Sequence, residues 1–297
     1  MGYIGAGSRT TSGRRRSMRL ICAVCLLPFL FLAGSTFSQE LDSAEVKIFL
    51  NTLVETAGQA VSGGVLWSAN THGGLPHFSV GLGTNVVSIK AYNPVMPGDS
   101  LIAAVPTAFA YGAVGILPGL KPNPVVGGIG SVDLLWRFGY VPLVGEYKRY
   151  SEWSPAIFGG GVKVGLFRNS ILAPAISMSM TYTKTSKLRF VFSDPQADAV
   201  ASIGLSTLSI HGDISKNLLL ITPYAGLGWD QHYFDAEWEV DFTDPGEQDV
   251  SGELKLRPSS LRLYGGLELS LAVIHVNAEG GMTGGNMFFA AAARIGI

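Results

Sequence analysis

Charge is what this sequence has least of. Asp, Glu, Lys and Arg make up 14% of its 297 residues, where a soluble domain carries about 25%, so an ordinary cytoplasmic enzyme fits poorly. Cysteine is almost missing: the two present, Cys22 and Cys25, sit inside one apolar stretch near the N-terminus. Their C-x-x-C spacing suggests redox or metal chemistry, but that stretch reads as a segment destined for cleavage. The remaining chain then has no thiol and no disulfide to manage. Long apolar runs are scarce as well. Mean hydropathy is +0.31, yet a bundle of membrane helices needs several runs of about 20 apolar residues, and past the N-terminus only residues 101–120 qualify. Pro106, Gly112, Gly115, Pro118 and Gly119 weaken a helix there, so the run is read as one strand or two with small residues on the inner face. What is abundant is glycine, 38 residues or nearly twice the usual share of about 7%.

From Met18 the chain reads MRLICAVCLLPFLFLAGSTFSQ, a basic start, an apolar stretch and small polar residues, which is the pattern of a secretory signal peptide. Residues 1–39 are expected to be the exported leader with an N-terminal extension, translation starting at Met1 or Met18. They contain five arginines and no acid, so the remaining chain has 16 basic and 22 acidic residues and a net charge of −6. That balance leaves no basic footprint for nucleic acid.

Residues 42–61 carry Val46, Phe49, Leu50, Leu53, Val54 and Ala57 at three- and four-residue spacing, opposite Lys47, Asn51, Glu55 and Gln59. This predicts an amphipathic helix, capped at Asp42 or Ser43 and stopped by Ser62-Gly63-Gly64. Residues 40–62 are expected to pack in the periplasm or to plug a barrel lumen.

Past residue 63 the period changes to two. Val132, Leu134, Trp136 and Phe138 alternate with Ser131, Asp133, Leu135 and Arg137, and Leu261, Leu263, Leu267, Leu269 and Leu271 with Arg262, Tyr264, Gly266, Glu268 and Ser270. Trp238, Val240 and Phe242 alternate with Glu237, Glu239 and Asp241; Met287, Phe289, Ala291, Ala293, Ile295 and Ile297 form the last apolar face. Several such segments reach roughly 9 to 12 residues, longer than soluble strands of about 5 or 6 and matched to a tilted membrane-spanning strand. A soluble sandwich would alternate too, but length and low charge favour the membrane. Tight connectors (167–170, 215–217) and long polar ones (142–154, 244–252) repeat the short-turn, long-loop asymmetry of outer-membrane barrels. The fold class is therefore all-β, an antiparallel transmembrane β-barrel over residues 63–297 of about 12 strands, within a range of roughly 10 to 14. Its location is the outer membrane of a Gram-negative bacterium.

Alternation assigns Asp133, Arg137, Lys163, Arg189, Glu237, Glu239, Asp241, Arg262, Glu268 and Arg294 to the lumen lining. No catalytic, cofactor or metal set emerges. Asp230-Gln231-His232 matches half of the omptin-type protease pattern, but no Asp-x-Asp exists. His211-Gly212-Asp213-Ile214-Ser215 has the residue types of an outer-membrane phospholipase without its pattern. His72 and His77 lack neighbouring acids or thiols for a metal, His275 lies with Asn277 and Glu279 on one inward face where hydrogen bonding accounts for it, and the clusters 127–130 and 159–161 lack the Lys-Ser/Thr of a phosphate loop.

Residues 261–281, then Gly285-Asn286 and the terminal alternating strand, resemble the closing strands of uncharacterised outer-membrane barrels of Gram-negative bacteria, and residues 203–229 resemble a hairpin of the same group. That group is similar to long-chain fatty-acid transport barrels, a resemblance that implies an N-terminal plug. The final residue here is Ile297 where many barrels have phenylalanine. The expected partners are outer-membrane lipid, the barrel-assembly machinery and a hydrophobic small-molecule solute. The expected function is a passive channel or transporter for small or hydrophobic solutes; the alternatives are a non-transporting structural or surface-binding barrel and, behind that, an outer-membrane hydrolase.

Overall fold

The computed structural model describes residues 44–92, 100–120, 128–142, 155–170, 173–194, 197–242 and 250–297. The expected leader, residues 1–39, and most of the connectors 142–154 and 244–252 lie outside them. Helix α1 (Ala44–Ser62) precedes twelve strands: β1 (Phe78–Tyr92), β2 (Ser100–Leu117), β3 (Ser131–Tyr140), β4 (Ala156–Phe167), β5 (Ala175–Thr185), β6 (Leu188–Asp194), β7 (Ala197–Ser215), β8 (Ile221–Phe242), β9 (Val250–Leu256), β10 (Ser259–Leu271), β11 (Ile274–Thr283) and β12 (Asn286–Gly296). The pairings between these strands are antiparallel. Ten strands close in the order β1, β2, β3, β4, β5, β7, β8, β10, β11, β12, with β12 returning to β1 so that Leu82 faces Ala293.

The remaining two strands lie outside the ring. β7 and β8 are 19 and 22 residues long and overshoot it, pairing with each other along residues 197–215 and 224–242. β6 pairs with the overshoot of β7 and β9 with that of β8. Each follows the course of a barrel strand across a short break: Ser186-Lys187 between β5 and β6, and Arg257-Pro258 between β9 and β10. Proline cannot donate to a ladder, and at this break the Pro258 carbonyl accepts the His232 N–H at 2.9 Å. The result is a four-stranded lobe, β6-β7-β8-β9, standing on the end of the barrel that also carries the β11–β12 turn. The opposite end, the tight-turn end, carries the β7–β8 and β10–β11 turns and the start of β1.

Alternation separates two surfaces. On β10, Leu261 is 75% exposed and its neighbour Arg262 is 2% exposed, and the same polarity holds around the ring, with Val80, Leu82, Leu134, Phe138, Met178, Met180, Leu227 and Phe289 turned outward. An outward apolar face of this length is what a lipid-facing barrel presents. Residues 101–120 fall largely within β2, a strand and not a helix. The expectation of small inward residues there is corrected: Phe109, Tyr111 and Ala113 point inward and are buried, and the outward positions include Ala108, Ala110 and Gly112. Trp136 lies where a Gly112 side chain would be, so the small residues make room on the outside.

Candidate functional site

The lumen of the ring is occupied by its own chain. Helix α1 buries Leu50, Leu53, Val54 and Val61, and Val54 and Val61 pack with Ile157, Leu205, Phe234 and Ala236 on the barrel wall and the base of the lobe. The amphipathic pattern is only half of the account, because Thr56 and Gln59 on the polar side are fully buried too. The second half of the helix lies inside the ring and meets wall on its polar side too, whereas Lys47 and Ile48 near its start are exposed. Thr56 accepts a hydrogen bond from Asn286 at the β11–β12 turn, 2.9 Å away. Gly58 lies against His232, whose Nδ1 is 3.0 Å from Thr207 Oγ1 and whose Nε2 is 3.0 Å from Ser260 Oγ. A Cβ on Gly58 would come within 2.0 Å of that imidazole.

After α1 the chain turns at Gly63, at a φ of +66° that favours glycine, bends again at Leu66 (φ +55°) and continues toward the tight-turn end. This stretch makes no strand of its own, so its backbone polar groups need other partners, and lumen side chains supply them. Arg262 donates to the Gly63 carbonyl (2.7 Å) and to Ser62 Oγ (2.6 Å) while paired with Asp230 at 2.7 Å. Arg137 lies over the Phe109 ring and donates to the Gly64 carbonyl at 2.7 Å. Glu279 accepts the Val65 and Leu66 N–H groups at 2.9 and 2.8 Å and the Tyr224 hydroxyl at 3.1 Å. Lys163 donates to the Ser68 carbonyl. Arg294 stacks over Trp67, donates to the Leu66 carbonyl at 3.3 Å and pairs with Glu268 at 2.8 Å. Asp133 receives the His72 N–H and lies 2.9 Å from its Nδ1.

Six of the residues assigned to the lumen by alternation, Asp133, Arg137, Lys163, Arg262, Glu268 and Arg294, thus converge on residues 62–72 or on the groups that bind them. Four do not, and their assignment is corrected. Glu237, Glu239 and Asp241 lie on the overshoot of β8, on the exposed face opposite buried Ala236 and Val240, and Arg189 lies on the exposed face of β6. On β8 the three acids share the outward parity of Leu227 and Trp229, and Trp238, Val240 and Phe242 share the inward parity of Asp230 and His232, so reading the apolar face as outward inverts the assignment on the overshoot. On the same lobe Lys255 pairs with Glu253 at 2.7 Å, a contact that raises the ammonium pKa above its usual value. Glu279, Tyr224 and Asp230 belong to the same network and are absent from the lumen lining assigned by alternation. Glu279 shares the parity of His275 and Asn277, which is the available signal.

Asp230 and His232, the half-match to a protease pattern, are absorbed by Arg262 and by Ser260 and Thr207, and Asp213 receives the Tyr264 hydroxyl. Among the described residues no three His, Cys, Asp or Glu side chains gather as a metal site. A cavity of about 40 Å³ lies beside Trp67, Tyr111 and Lys163. A wider vestibule of about 430 Å³ opens at the tight-turn end, lined by Asn70, His72, Arg168, Asn217, His275 and Arg294 among others.

No family model matches this chain, and no curated protein matches it in sequence. The fold is similar to that of solved outer-membrane barrels. The translocator domain of the autotransporter NalP from Neisseria meningitidis is 10% identical, with 86% of this chain and 99% of that one covered at a TM-score of 0.40. Ail, the attachment invasion locus protein of Yersinia pestis, is 11% identical over 74% and 96% of the two chains at 0.27, and the toluene transporter TbuX of Ralstonia pickettii is 11% identical over 80% and 91% at 0.21. The chain's own closed antiparallel ring and outward apolar face make it a ten-stranded β-barrel.

Proposed function

We infer that this chain is a closed outer-membrane barrel that acts at the membrane surface as a binding scaffold and does not conduct solutes through its lumen. One observation carries the reading: residues 62–72 are tied to the wall by six charged side chains from five strands, each already neutralised or hydrogen-bonded there. A freely diffusing solute would have to displace all of them together. The lobe β6-β7-β8-β9 is the part built to meet another molecule, because it projects past the lipid-facing belt and carries Glu237, Glu239 and Asp241 on its exposed face. A second reading, a channel gated by withdrawal of α1, is favoured by the vestibule at the tight-turn end, and it preserves the expectation of a transported small or hydrophobic solute. Planar-bilayer recording separates the two. The intact protein is expected to show no steady conductance at any applied voltage that the bilayer tolerates. Ohmic conductance from the intact protein would overturn the scaffold reading, and conductance that appears only on weakening the seam with Glu279→Gln would establish the gated one.

A further inference from the structure

The tight-turn end of the barrel departs from what aqueous turns require. β7 and β8 are joined through Leu218 and Ile221, which exchange backbone hydrogen bonds of 2.8 and 3.2 Å around Leu219-Leu220. Two-residue hairpin turns of this kind favour glycine, asparagine or aspartate because φ is positive. Here Leu219 sits at φ +58° and is 99% exposed. The neighbouring turn, Ala272-Val273 between β10 and β11, repeats the choice with Ala272 at φ +54°. The equivalent turn at the other end of the molecule, between β11 and β12, uses Gly284 and Gly285 at φ +52° and +85°. The chain therefore accepts an unfavourable backbone at Leu219 and Ala272 to keep apolar side chains at one end, and places glycine at the positive-φ positions of the two-residue turn at the other.

The two apolar turns are adjacent: Ser270 N–H donates to the Leu220 carbonyl at 2.8 Å, and Leu269 faces Ile221. Leu218, Leu220, Leu271, Val273 and Ile274 are all exposed, and the patch runs without a charged residue into the outward leucines of β10. Farther round the same end, Leu75 and Leu120 are exposed as well. A contiguous exposed apolar patch of this kind marks a contact surface. Its continuity with the lipid-facing belt says which one.

We propose that the Leu218–Ile221 and Leu271–Ile274 turns are a membrane-contact surface immersed in the acyl and headgroup boundary of the phospholipid leaflet at the tight-turn end, so that the barrel sits with these turns in lipid. The proposal rests on the outer-membrane reading of the belt, and the test separates the two. In full-length protein with Cys22 and Cys25 replaced by serine, single variants Leu219→Cys, Val273→Cys, Leu267→Cys in the belt and Glu237→Cys on the lobe carry a nitroxide. They are reconstituted in vesicles of phosphatidylethanolamine and phosphatidylglycerol. Collision with oxygen, which partitions into lipid, is compared with collision with a water-soluble nickel chelate. Leu219 and Val273 are expected to show an oxygen-to-nickel ratio several-fold above that of Glu237 and close to that of Leu267. Ratios at both turns equal to that of Glu237, with Leu267 still in lipid, would overturn the proposal and leave the membrane reading standing; an aqueous Leu267 would overturn both. Labels at the turns shielded from both reagents would mean that protein covers them, either a second copy or a partner, and would also overturn it.

Discussion

The inner and outer faces of the same strands follow opposite rules. Outside, single leucines stand side by side in the open, and each needs no particular neighbour because lipid is a uniform apolar solvent. Inside, Arg262, Asp230, Glu268, Glu279, Arg294 and Lys163 are buried, and each is held by named partners at hydrogen-bond distance. The comparison teaches where specificity resides. An outward residue is constrained by its class alone, whereas an inward one is constrained by the geometry of the whole seam.

The contrast breaks hardest at Arg262. Arg262→Met leaves Asp230 buried with no cation in contact but His211, 3.5 Å away, and frees Ser62 and Gly63, and removing one partner of a buried pair costs about 3–5 kcal/mol. Urea titration of the protein in vesicles should register that loss, and adding Asp230→Asn should recover part of it, since the stranded charge is then gone. A similar loss in the double variant would show that the pair itself is not the source. On the outer face, Leu267→Arg is expected to cost about 2–4 kcal/mol, the depth-dependent penalty of a charge in the belt, read in the same titration. Leu267→Ala should cost much less, and an arginine tolerated at that position would place it outside the membrane. The smallest effect is expected at the boundary of plug and wall: Gly58→Ala presses a methyl onto His232 and overpacking of this kind costs about 1–3 kcal/mol. Trimming His232 to alanine in the same chain should relieve the strain, and two additive losses would rule the contact out as its cause.

Much of the barrel is legible in the sequence because membrane strands advertise themselves twice, by length and by alternation. Leu261 through Leu271 and Met287 through Ile297 can have only one face in lipid, and the parity that follows is enough to turn Arg262, Glu268 and Arg294 inward. Residues 101–120 are legible as strand but not as to face: with Phe109, Tyr111, Ala108 and Ala110 interleaved, both faces are apolar, and the choice depends on bulky aromatics being needed against Trp67, which Tyr111 meets at 5.0 Å between ring centroids. The lobe is illegible for another reason. β8 keeps one period from Ile221 to Phe242, but its polarity inverts where the neighbour changes from β10 to β9: the positions of Leu227 and Trp229 continue as Asp235, Glu237, Glu239 and Asp241, and those of Asp230 and His232 continue as Phe234, Ala236, Trp238 and Val240, so taking the apolar face as outward along the whole strand hides the lobe.

The sequence by itself determined the alternation, the strand lengths, the helix after residue 42 and the inward parity of most of the charged residues, because each of these follows from local geometry and from which solvent a face must meet. Only the tertiary structure decided that ten strands close and two stand outside, that α1 fills the lumen, and that Glu279, Arg262 and Lys163 serve the backbone of residues 62–72. Those contacts join residues as much as 214 positions apart, and such a partner is chosen by closure of the ring, which no local pattern encodes.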